Sequence, residues 1–312
     1  MKIGIISTFH EKCGVSAYTE NLVEGFIEKG HDVKVIANYS KDPTQEDGVY
    51  VKRAFHAPFL THQFDVDYES ILEFFKDRDI IEVEFETNLY HPSTFPKLLQ
   101  LLRILDKQIV FKMHSSGMWP NLNTYDVYFI THSAMWCSHI VLPMGIKFYD
   151  NTPPQNYKSI TSFGLGRNND DRLISARDAV DPSIEYNTSY GNRKWLPIKD
   201  LVKNIQESWI ISLLYPPVGA SVSSSAVTLA LGCNRPIIVT DTNWFDNVRR
   251  YPCIFSAEND RQIQTYIKFL TDPNNIEEIN TRIGSTKDFI KDMDNTYEDF
   301  INKHILVYNE FV

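Results

Sequence analysis

Cysteine is scarce in this sequence and is spread along its whole length. Of 312 residues only four are cysteines, and they stand at Cys13, Cys137, Cys233 and Cys253. No two of them form the CxxC pair typical of zinc sites, and the scattered set does not make a disulfide framework. The sequence therefore predicts neither structural zinc nor disulfides, which is typical of a protein in the reducing cytoplasm.

Long apolar runs are also missing. The longest candidate, residues 209–218, is interrupted by Pro216 and Pro217, whereas a membrane-spanning helix needs about 20 consecutive apolar residues. The apolar stretch after Lys2 ends at the charged residues 10–12, too early for a signal peptide. We therefore expect a cytoplasmic protein without a transmembrane segment, either in solution or peripheral at the inner face of the membrane.

Positive charge is in deficit. The sequence has 31 basic and 40 acidic residues, which gives a net charge of −9. Proteins whose whole surface binds nucleic acid are usually basic, so this balance argues against that class while leaving a local basic patch open. The apolar share of 43% is ordinary for a globular protein, and the length fits two domains of about 150 residues each.

The sequence does contain a repeated alternation of strand-like and helix-like segments. Residues 2–8 form a continuous Ile-rich run, typical of a strand that is buried on both faces of a parallel sheet. Residues 16–29 carry an apolar stripe of helical period and end at Gly30, and a second strand follows at 33–37. Parallel strands joined by a helix predict a layered α/β fold.

The alternation continues to the carboxyl terminus. In the first half, strands are predicted at 79–85, 108–113, 127–131 and 140–143, with a helix at 92–105. In the second half, strands are predicted at 159–164, 184–187, 209–215, 236–240 and 253–255, with helices at 171–179, 197–206, 223–232 and from 260 onward.

These elements predict two Rossmann-like, doubly wound α/β domains in tandem. The segment 150–157, rich in Asn and Pro, is the best linker. We therefore expect an N-terminal domain at 1–150 and a C-terminal domain at 151–312. An arrangement in which the last helix packs back on the first domain is compatible with this division.

Ligands of doubly wound folds bind beyond the carboxyl ends of the strands, so the loops there are the places to look for functional residues. The first loop brings Gly14 and Val15 to the start of a helix, where N–H groups can approach an anion; a plain turn is the alternative. A later loop contains Gly166 and Arg167, and the guanidinium fork of Arg167 suits a diphosphate. A surface ion pair with a neighbouring aspartate is the alternative for Arg167.

A serine-rich loop precedes the helix at 223–232. Its four serines are Ser221, Ser223, Ser224 and Ser225. Hydroxyls and unpaired N–H groups at a helix start predict an anion cradle. In the alternative, one serine caps the helix and the others have no role in binding.

A histidine and three glutamates end two neighbouring strands. His114 follows the strand at 108–113. A lone histidine is more often structural, but the end of a central strand is where ligands bind, so a structural and a functional role are equally open. Glu82, Glu84 and Glu86 alternate, so they share one face of the preceding strand and need partners or an open cavity. Glu86 is the functional candidate because it is nearest the strand end; an edge strand with solvated carboxylates is the alternative.

Three acidic pairs have the spacing of a metal-binding DxD motif: Asp65/Asp67, Asp77/Asp79 and Asp292/Asp294. None of them follows a strand in a nucleotide-binding context. We interpret all three as solvated charge and predict no catalytic metal.

Several segments resemble a known family. The opening residues 2–9, followed by 13–22 and 30–33, resemble the start of the retaining GT-B enzymes of glycosyltransferase family 4. Later segments that match the pattern of the family are 140–146, 162–167 and 230–241. The resemblance implies a GT-B fold with a cleft between its two domains. It also implies that the Gly14 loop and Arg167 contact the donor diphosphate and that His114 lies near the transferred sugar.

The sequence departs from the family at the donor site. The family usually has two glutamates eight positions apart, and the matching places here fall near Ala220 and Thr228. The family's lysine shortly after the arginine is missing as well. Arg172, Arg193 and Lys194 are the candidates for the second positive charge.

The resemblance implies metal-independent transfer of a sugar from a nucleoside-diphosphate sugar, with UDP as the expected nucleotide and no other cofactor. His114, Arg167 and Glu86 would be the catalytic residues and a glycan or glycolipid hydroxyl the acceptor. Residues 13–15 and 30–33 also resemble phage DNA alpha-glucosyltransferases, which makes hydroxymethylated DNA a second acceptor class, although the acidic charge counts against it. The missing glutamates motivate a third reading, an inactive homologue that only binds a sugar nucleotide or a partner.

Overall fold

The computed structural model describes residues 1–63, 65–86, 89–114, 128–132, 140–150, 152–164, 170–188, 196–217 and 224–312. The chain divides into two compact units. The first consists of Met1–Pro143 and Ile301–Val312, and the second consists of Met144–Phe300.

The first unit is built on a parallel sheet of seven described strands. They are β1 (Lys2–Ser7), β2 (Asp32–Asn38), β3 (Val51–Phe55), β4 (Ile80–Phe85), β5 (Gln108–Met113), β6 (Tyr128–Thr131) and β7 (Ile140–Val141). Their order across the sheet is β3-β2-β1-β4-β5-β6-β7. The chain winds outward in one direction from β1 and in the other from β4, so the strand order reverses between these two strands. In open α/β sheets this is the place where ligands bind.

Helices cover this sheet. They are α1 (Gly14–Glu28), α2 (Pro58–Thr61), α3 (Tyr68–Phe75), α4 (Phe95–Ile104) and the carboxyl-terminal α10 (Tyr297–Asn309). Leu22 and Phe26 of α1 are completely buried, as expected for one apolar stripe of an amphipathic helix. Tyr308 of α10 is also completely buried, and its ring lies 5.6 Å from that of Phe26.

The second unit repeats the plan with a parallel sheet of five described strands. They are β8 (Asn156–Ser162), β9 (Glu185–Thr188), β10 (Ser208–Leu213), β11 (Ile237–Thr240) and β12 (Ile254–Ala257), in the order β12-β11-β10-β8-β9. Its helices are α5 (Asp170–Val180), α6 (Ile198–Glu207), α7 (Ser225–Gly232), α8 (Asp260–Thr271) and α9 (Ile276–Asp292). The prediction of two doubly wound α/β halves is confirmed.

The central strands explain why the sequence folds in this way. Every residue of β4 and of β10 is buried, because both strands have neighbours on each side and helices against their faces. Such strands are continuous apolar runs unless polar residues have partners. In the described part of the chain, no helix combines the length and the apolar character that a bilayer crossing requires.

Candidate active site

Polar side chains gather at the carboxyl edge of the first sheet. Strands β4, β5 and β6 are followed directly by Glu86, His114 and His132. Because the three strands are parallel neighbours, these residues leave the sheet at the same edge. The rings of His114 and His132 are 5.2 Å apart, and the ring of Tyr18 from α1 stands edge-on to both, at 4.9 and 5.0 Å.

His114 is held by a glutamate from the neighbouring strand. Its Nε2 lies 2.6 Å from Oε2 of Glu84, which is completely buried. Burial raises the pKa of Glu84 to about 7 and lowers the pKa of His114 to about 4. The imidazole is therefore neutral at physiological pH, so one of its ring nitrogens carries hydrogen and the other is an acceptor.

The other buried groups of this cluster come from three elements. Glu82 precedes Glu84 by two residues on β4 and accepts a hydrogen bond from the hydroxyl of Tyr308 on α10. Lys112 of β5 is paired in register with Glu84 and is completely buried. Desolvation lowers the pKa of Lys112 to about 8, although the charges of the two glutamates act to raise it. Charges without water around them need such partners.

This geometry revises the reading of the glutamate strand. An edge strand with solvated carboxylates is wrong, because β4 lies between β1 and β5 and both Glu82 and Glu84 are completely buried. Glu86, the predicted functional glutamate, is half-buried and comes one residue after β4. The carboxylate that touches His114 is that of Glu84, and Glu86 acts on His114 by raising its pKa through its charge.

The loop before α1 is held by hydrogen bonds to the first turn of that helix. Gly14 is the first residue of α1 and Cys13 occupies the N-cap, where its sulfur accepts from the N–H of Ser16 at 3.4 Å. The N–H of Glu11 donates to Oγ of Ser16 at 2.8 Å, so this loop N–H group is already used. An anion at the predicted site would therefore have to bind the N–H groups of Gly14 and Val15 themselves, in the first turn of the helix. This site stays a prediction.

At the carboxyl edge of the second sheet lies Gly164, a position where any side chain would be strained. Gly164 follows β8 with φ of +121°, and an added Cβ would lie 2.4 Å from the hydroxyl oxygen of Tyr215. A side chain there meets both strain and a clash. Nearby, Oγ of Ser162 donates to Asp170 at 2.7 Å. This bond joins the end of β8 to the first residue of α5, on either side of the loop predicted to bind diphosphate.

Many of the predicted donor-side residues lie outside the described residues: Gly166, Arg167, Arg193, Lys194, Ser221 and Ser223. Arg172, a further candidate for positive charge, makes an ion pair with Asp260 of α8. Thr228, at a place where the family has a glutamate, donates its hydroxyl to the carbonyl of Ser225 at 2.8 Å. Both residues therefore have structural partners within the second unit.

Two serines of the predicted cradle are described. Ser224 stands at the N-cap of α7 and is 6% exposed, but its hydroxyl makes no capping hydrogen bond. Ser225 is the first residue of the helix and is exposed. The reading in which Ser224 is an ordinary cap loses support, because a cap residue normally accepts from an N–H of the first turn.

Two of the acidic pairs contain an aspartate with a structural role. Asp67 caps α3 by accepting from the N–H of Ser70 at 3.1 Å. Asp77 accepts from Lys34 at 2.9 Å and from Arg78 at 2.8 Å. Among the described residues, no group of three or more His, Cys, Asp and Glu side chains is arranged to hold a metal ion. Metal independence of the reaction stays a prediction.

Sequence reasoning missed Glu84, Lys112 and Tyr308 as members of the His114 cluster. The alternating glutamates were a usable signal for Glu84, since a buried strand with two carboxylates requires buried donors nearby. Tyr308 had no such signal, because it is 226 positions from Glu82 along the chain.

Comparison of sequences finds no relatives: no protein-family model matches this chain, and no curated protein matches it. Comparison of structures finds proteins of similar fold. An alpha-glucosyltransferase solved with UDP and a 13-mer DNA aligns over 99% of this chain and 100% of its own, with a TM-score of 0.70 and 11% identity. HepE of Anabaena, solved with UDP and glucose, aligns over 99% and 100%, with a TM-score of 0.66 and 11% identity.

A third similar structure is the sucrose-phosphate synthase of Thermosynechococcus elongatus. It aligns over 99% of this chain and 98% of its own, with a TM-score of 0.62 and 12% identity. Identities this low indicate a shared fold and nothing more. The chain has the GT-B fold, and the predicted fold class is confirmed.

Proposed function

We propose that this chain is a retaining glycosyltransferase that moves a sugar from a UDP-sugar to a hydroxyl group. The observation that carries the proposal is the match of the whole chain to the whole of several glycosyltransferases, two of them solved with UDP. A match of this extent means that both Rossmann-like units of those proteins have a counterpart in this chain. A shared fold does not establish a function, which depends on the residues at the ends of the strands.

We assign donor binding to the second unit. The departing UDP gains negative charge as its bond to the anomeric carbon breaks, so its diphosphate needs fixed N–H dipoles and cations. The start of α7 at Ser224 and Ser225 offers hydroxyls and the positive end of a helix dipole. Arg167, in the loop between Gly164 and α5, would supply the cation.

We assign acceptor binding to the first unit. In the proposed reaction the acceptor oxygen bonds to the anomeric carbon, and its proton passes to the departing diphosphate oxygen. His114 is a neutral imidazole whose Nε2 lies within hydrogen-bond distance of Glu84. In the tautomer with hydrogen on Nε2, its Nδ1 is a hydrogen-bond acceptor. That nitrogen would orient a hydroxyl group, with Glu86 beside it.

We propose a glycan or glycolipid hydroxyl as the acceptor. DNA with hydroxymethylated bases is the second candidate, and the alpha-glucosyltransferase solved with UDP and DNA is the observation that favours it. The net charge of −9 weighs against it, because DNA affinity depends on neutralising phosphates. Transfer assays with radiolabelled sugar on both acceptor classes distinguish the two.

Binding of a sugar nucleotide is the first test. We expect one UDP-sugar to raise the melting temperature of the protein, because a ligand at 100 times its dissociation constant adds ~2.7 kcal/mol of stability. The measurement is a thermal-shift screen over UDP-, GDP- and ADP-sugars, followed by an assay of UDP release. If no sugar nucleotide shifts the melting temperature, the proposal is wrong. If one binds but no UDP is released with any acceptor, the chain is an inactive homologue.

Alanine substitution at Ser224 tests the cradle. Because its hydroxyl makes no cap bond with α7, we expect Ser224→Ala to change the melting temperature little. Loss of a hydrogen bond to the donor should weaken nucleotide affinity by about 3- to 10-fold, corresponding to ~0.5–1.5 kcal/mol. Ser225→Ala should behave alike. Calorimetric titration with UDP measures the affinity.

The matched control for this test is Asn259→Ala in the same unit. Asn259 caps α8 in the ordinary way, with its side chain accepting from the N–H of Gln262 at 3.1 Å. Its loss should cost about 1 kcal/mol of stability and leave UDP affinity unchanged. Wild-type UDP affinity in both serine variants would mean that α7 does not bind the donor through these hydroxyls.

A further inference from the structure

The pair Glu82 and Glu84 is asymmetric, although both side chains are completely buried on the same face of β4. Oε2 of Glu82 accepts from Tyr308, whereas Oε2 of Glu84 accepts from Nε2 of His114. The two remaining oxygens, both Oε1, meet no N–H or hydroxyl donor among the described residues. Buried oxygens of this kind need a hydrogen-bond donor, so a hydrogen atom has to lie between them or come from a group other than these donors.

The pair itself can supply that hydrogen. Two neighbouring carboxylates without solvent cannot both be ionised, so one of them keeps its proton. Burial, the charge of Glu84 and a hydrogen bond with Glu84 together raise the pKa of Glu82 well above its ordinary value. The same hydrogen bond lowers the pKa of Glu84, as does the charge of Lys112. Of the pair, Glu82 therefore keeps its proton and Glu84 ionises first.

This arrangement forms a directed chain of hydrogen bonds. With Glu84 ionised, Tyr308 donates to Glu82, Glu82 donates to Glu84, and His114 donates to Glu84 from Nε2. The ionised carboxylate fixes the imidazole in the tautomer with hydrogen on Nε2. The lone pair is then on Nδ1, and the ring is held between Glu84 and the edge-on ring of Tyr18.

We propose that Glu84 is a positioning residue, which holds His114 as an Nε2–H tautomer so that Nδ1 accepts a hydrogen bond from a hydroxyl of the reacting sugars. The inference rests on the proposed function, because it gives His114 a substrate hydroxyl to bind. It assigns Glu82 and Tyr308 to a supporting role: Glu82 supplies the proton that Glu84 needs, and Tyr308 holds Glu82 in place.

Glutamine at the two positions gives opposite results, which makes each variant the control of the other. In Glu82→Gln, the amide N–H replaces the carboxylic proton and donates to Glu84, while the amide oxygen still accepts from Tyr308. In Glu84→Gln, protonated Glu82 binds the amide oxygen, so the amide N–H group turns toward His114. The ring then has to accept at Nε2, and its hydrogen moves to Nδ1.

The tautomer is read directly by NMR of protein with ¹⁵N-labelled histidine, and His114→Gln identifies the signals of His114. We expect the Nε2–H tautomer in the wild type and in Glu82→Gln, and the Nδ1–H tautomer in Glu84→Gln. In steady-state assays, Glu84→Gln should lower kcat by on the order of 10- to 100-fold, as loss of an orienting partner does. Its KM for the donor should stay within about twofold of the wild type, because the donor diphosphate is held elsewhere.

Two outcomes overturn the proposal: an unchanged tautomer in Glu84→Gln, or an equal loss of kcat in Glu82→Gln, which would indicate a purely structural charge cluster. If Glu84→Gln does not fold, Glu84→Asp takes its place. It keeps the charge beside Lys112 but is one methylene too short to reach His114, so the Nε2–H signal should weaken. The NMR measurement needs no activity, so a wild type without transferase activity overturns the proposed function while the tautomer still tests Glu84.

Discussion

We expect Arg235→Met to lower the free energy of unfolding of the second unit by about 3–5 kcal/mol. Arg235 is 2% exposed, and its guanidinium donates to four backbone carbonyls. These carbonyls belong to Thr152, Gln206, Ser208 and Asn234. Methionine fills a similar volume but leaves the four acceptors without these donors. Each buried acceptor without a donor costs about 1–3 kcal/mol.

Urea denaturation measures this effect, with a lower midpoint at an unchanged slope as the expected result. The matched control is Arg261→Met on the exposed face of α8. It should change stability by less than about 0.5 kcal/mol, since Arg and Met have similar helix propensity. Arg235→Lys should fall between the two because it keeps the charge and loses the planar fork. Loss of less than about 1 kcal/mol in Arg235→Met would contradict the proposed role of these carbonyl contacts.

Much of the fold could be predicted from the sequence because its central strands are continuous apolar runs. The predicted strand at 108–113 coincides with β5, and that at 236–240 differs from β11 by one residue. The sequence did not reveal β3 or α3. Strand β3 is at the edge of the sheet and contains Lys52 and Arg53, with its first three residues half-buried. Edge strands do not need an apolar run, so the pattern that identified the others was absent.

The candidate site was predictable only in part, for a related reason. The position of His114 follows from its place after a buried strand. Its partner could not be chosen from the sequence, because Glu84 and Glu86 share a strand face and differ only in how far β4 extends. The structure ends β4 at Phe85, which buries Glu84 and leaves Glu86 half-buried. The contact of Tyr308 with Glu82 depends on tertiary structure, and nothing local predicts it.

We expect Arg167→Ala to lower kcat/KM by about 100-fold or more if the chain is a glycosyltransferase. The departing diphosphate gains charge in the transition state, and a guanidinium fork binds two of its oxygens at once. The residues that flank the loop support this assignment. Gly164 follows the carboxyl end of β8, and the first carboxylate after Arg167 among the described residues of the sequence, that of Asp170, accepts from Ser162 at 2.7 Å. Arg167→Lys should recover only part of the loss, because an ammonium group lacks the second donor.

Arg177→Ala on α5 is the control for a general loss of positive charge from the second unit. Arg177 bonds to Asp178 at 2.8 Å and to the carbonyl of Ile184 at 3.3 Å, so its role is structural. It should leave kcat/KM within about threefold of the wild type, with any deficit appearing as lower stability. UDP affinity adds a second readout, since a residue that acts mainly in the transition state lowers kcat more than it weakens binding of UDP. Wild-type kinetics in Arg167→Ala would exclude this arginine from the donor site and leave the start of α7 as its principal anchor.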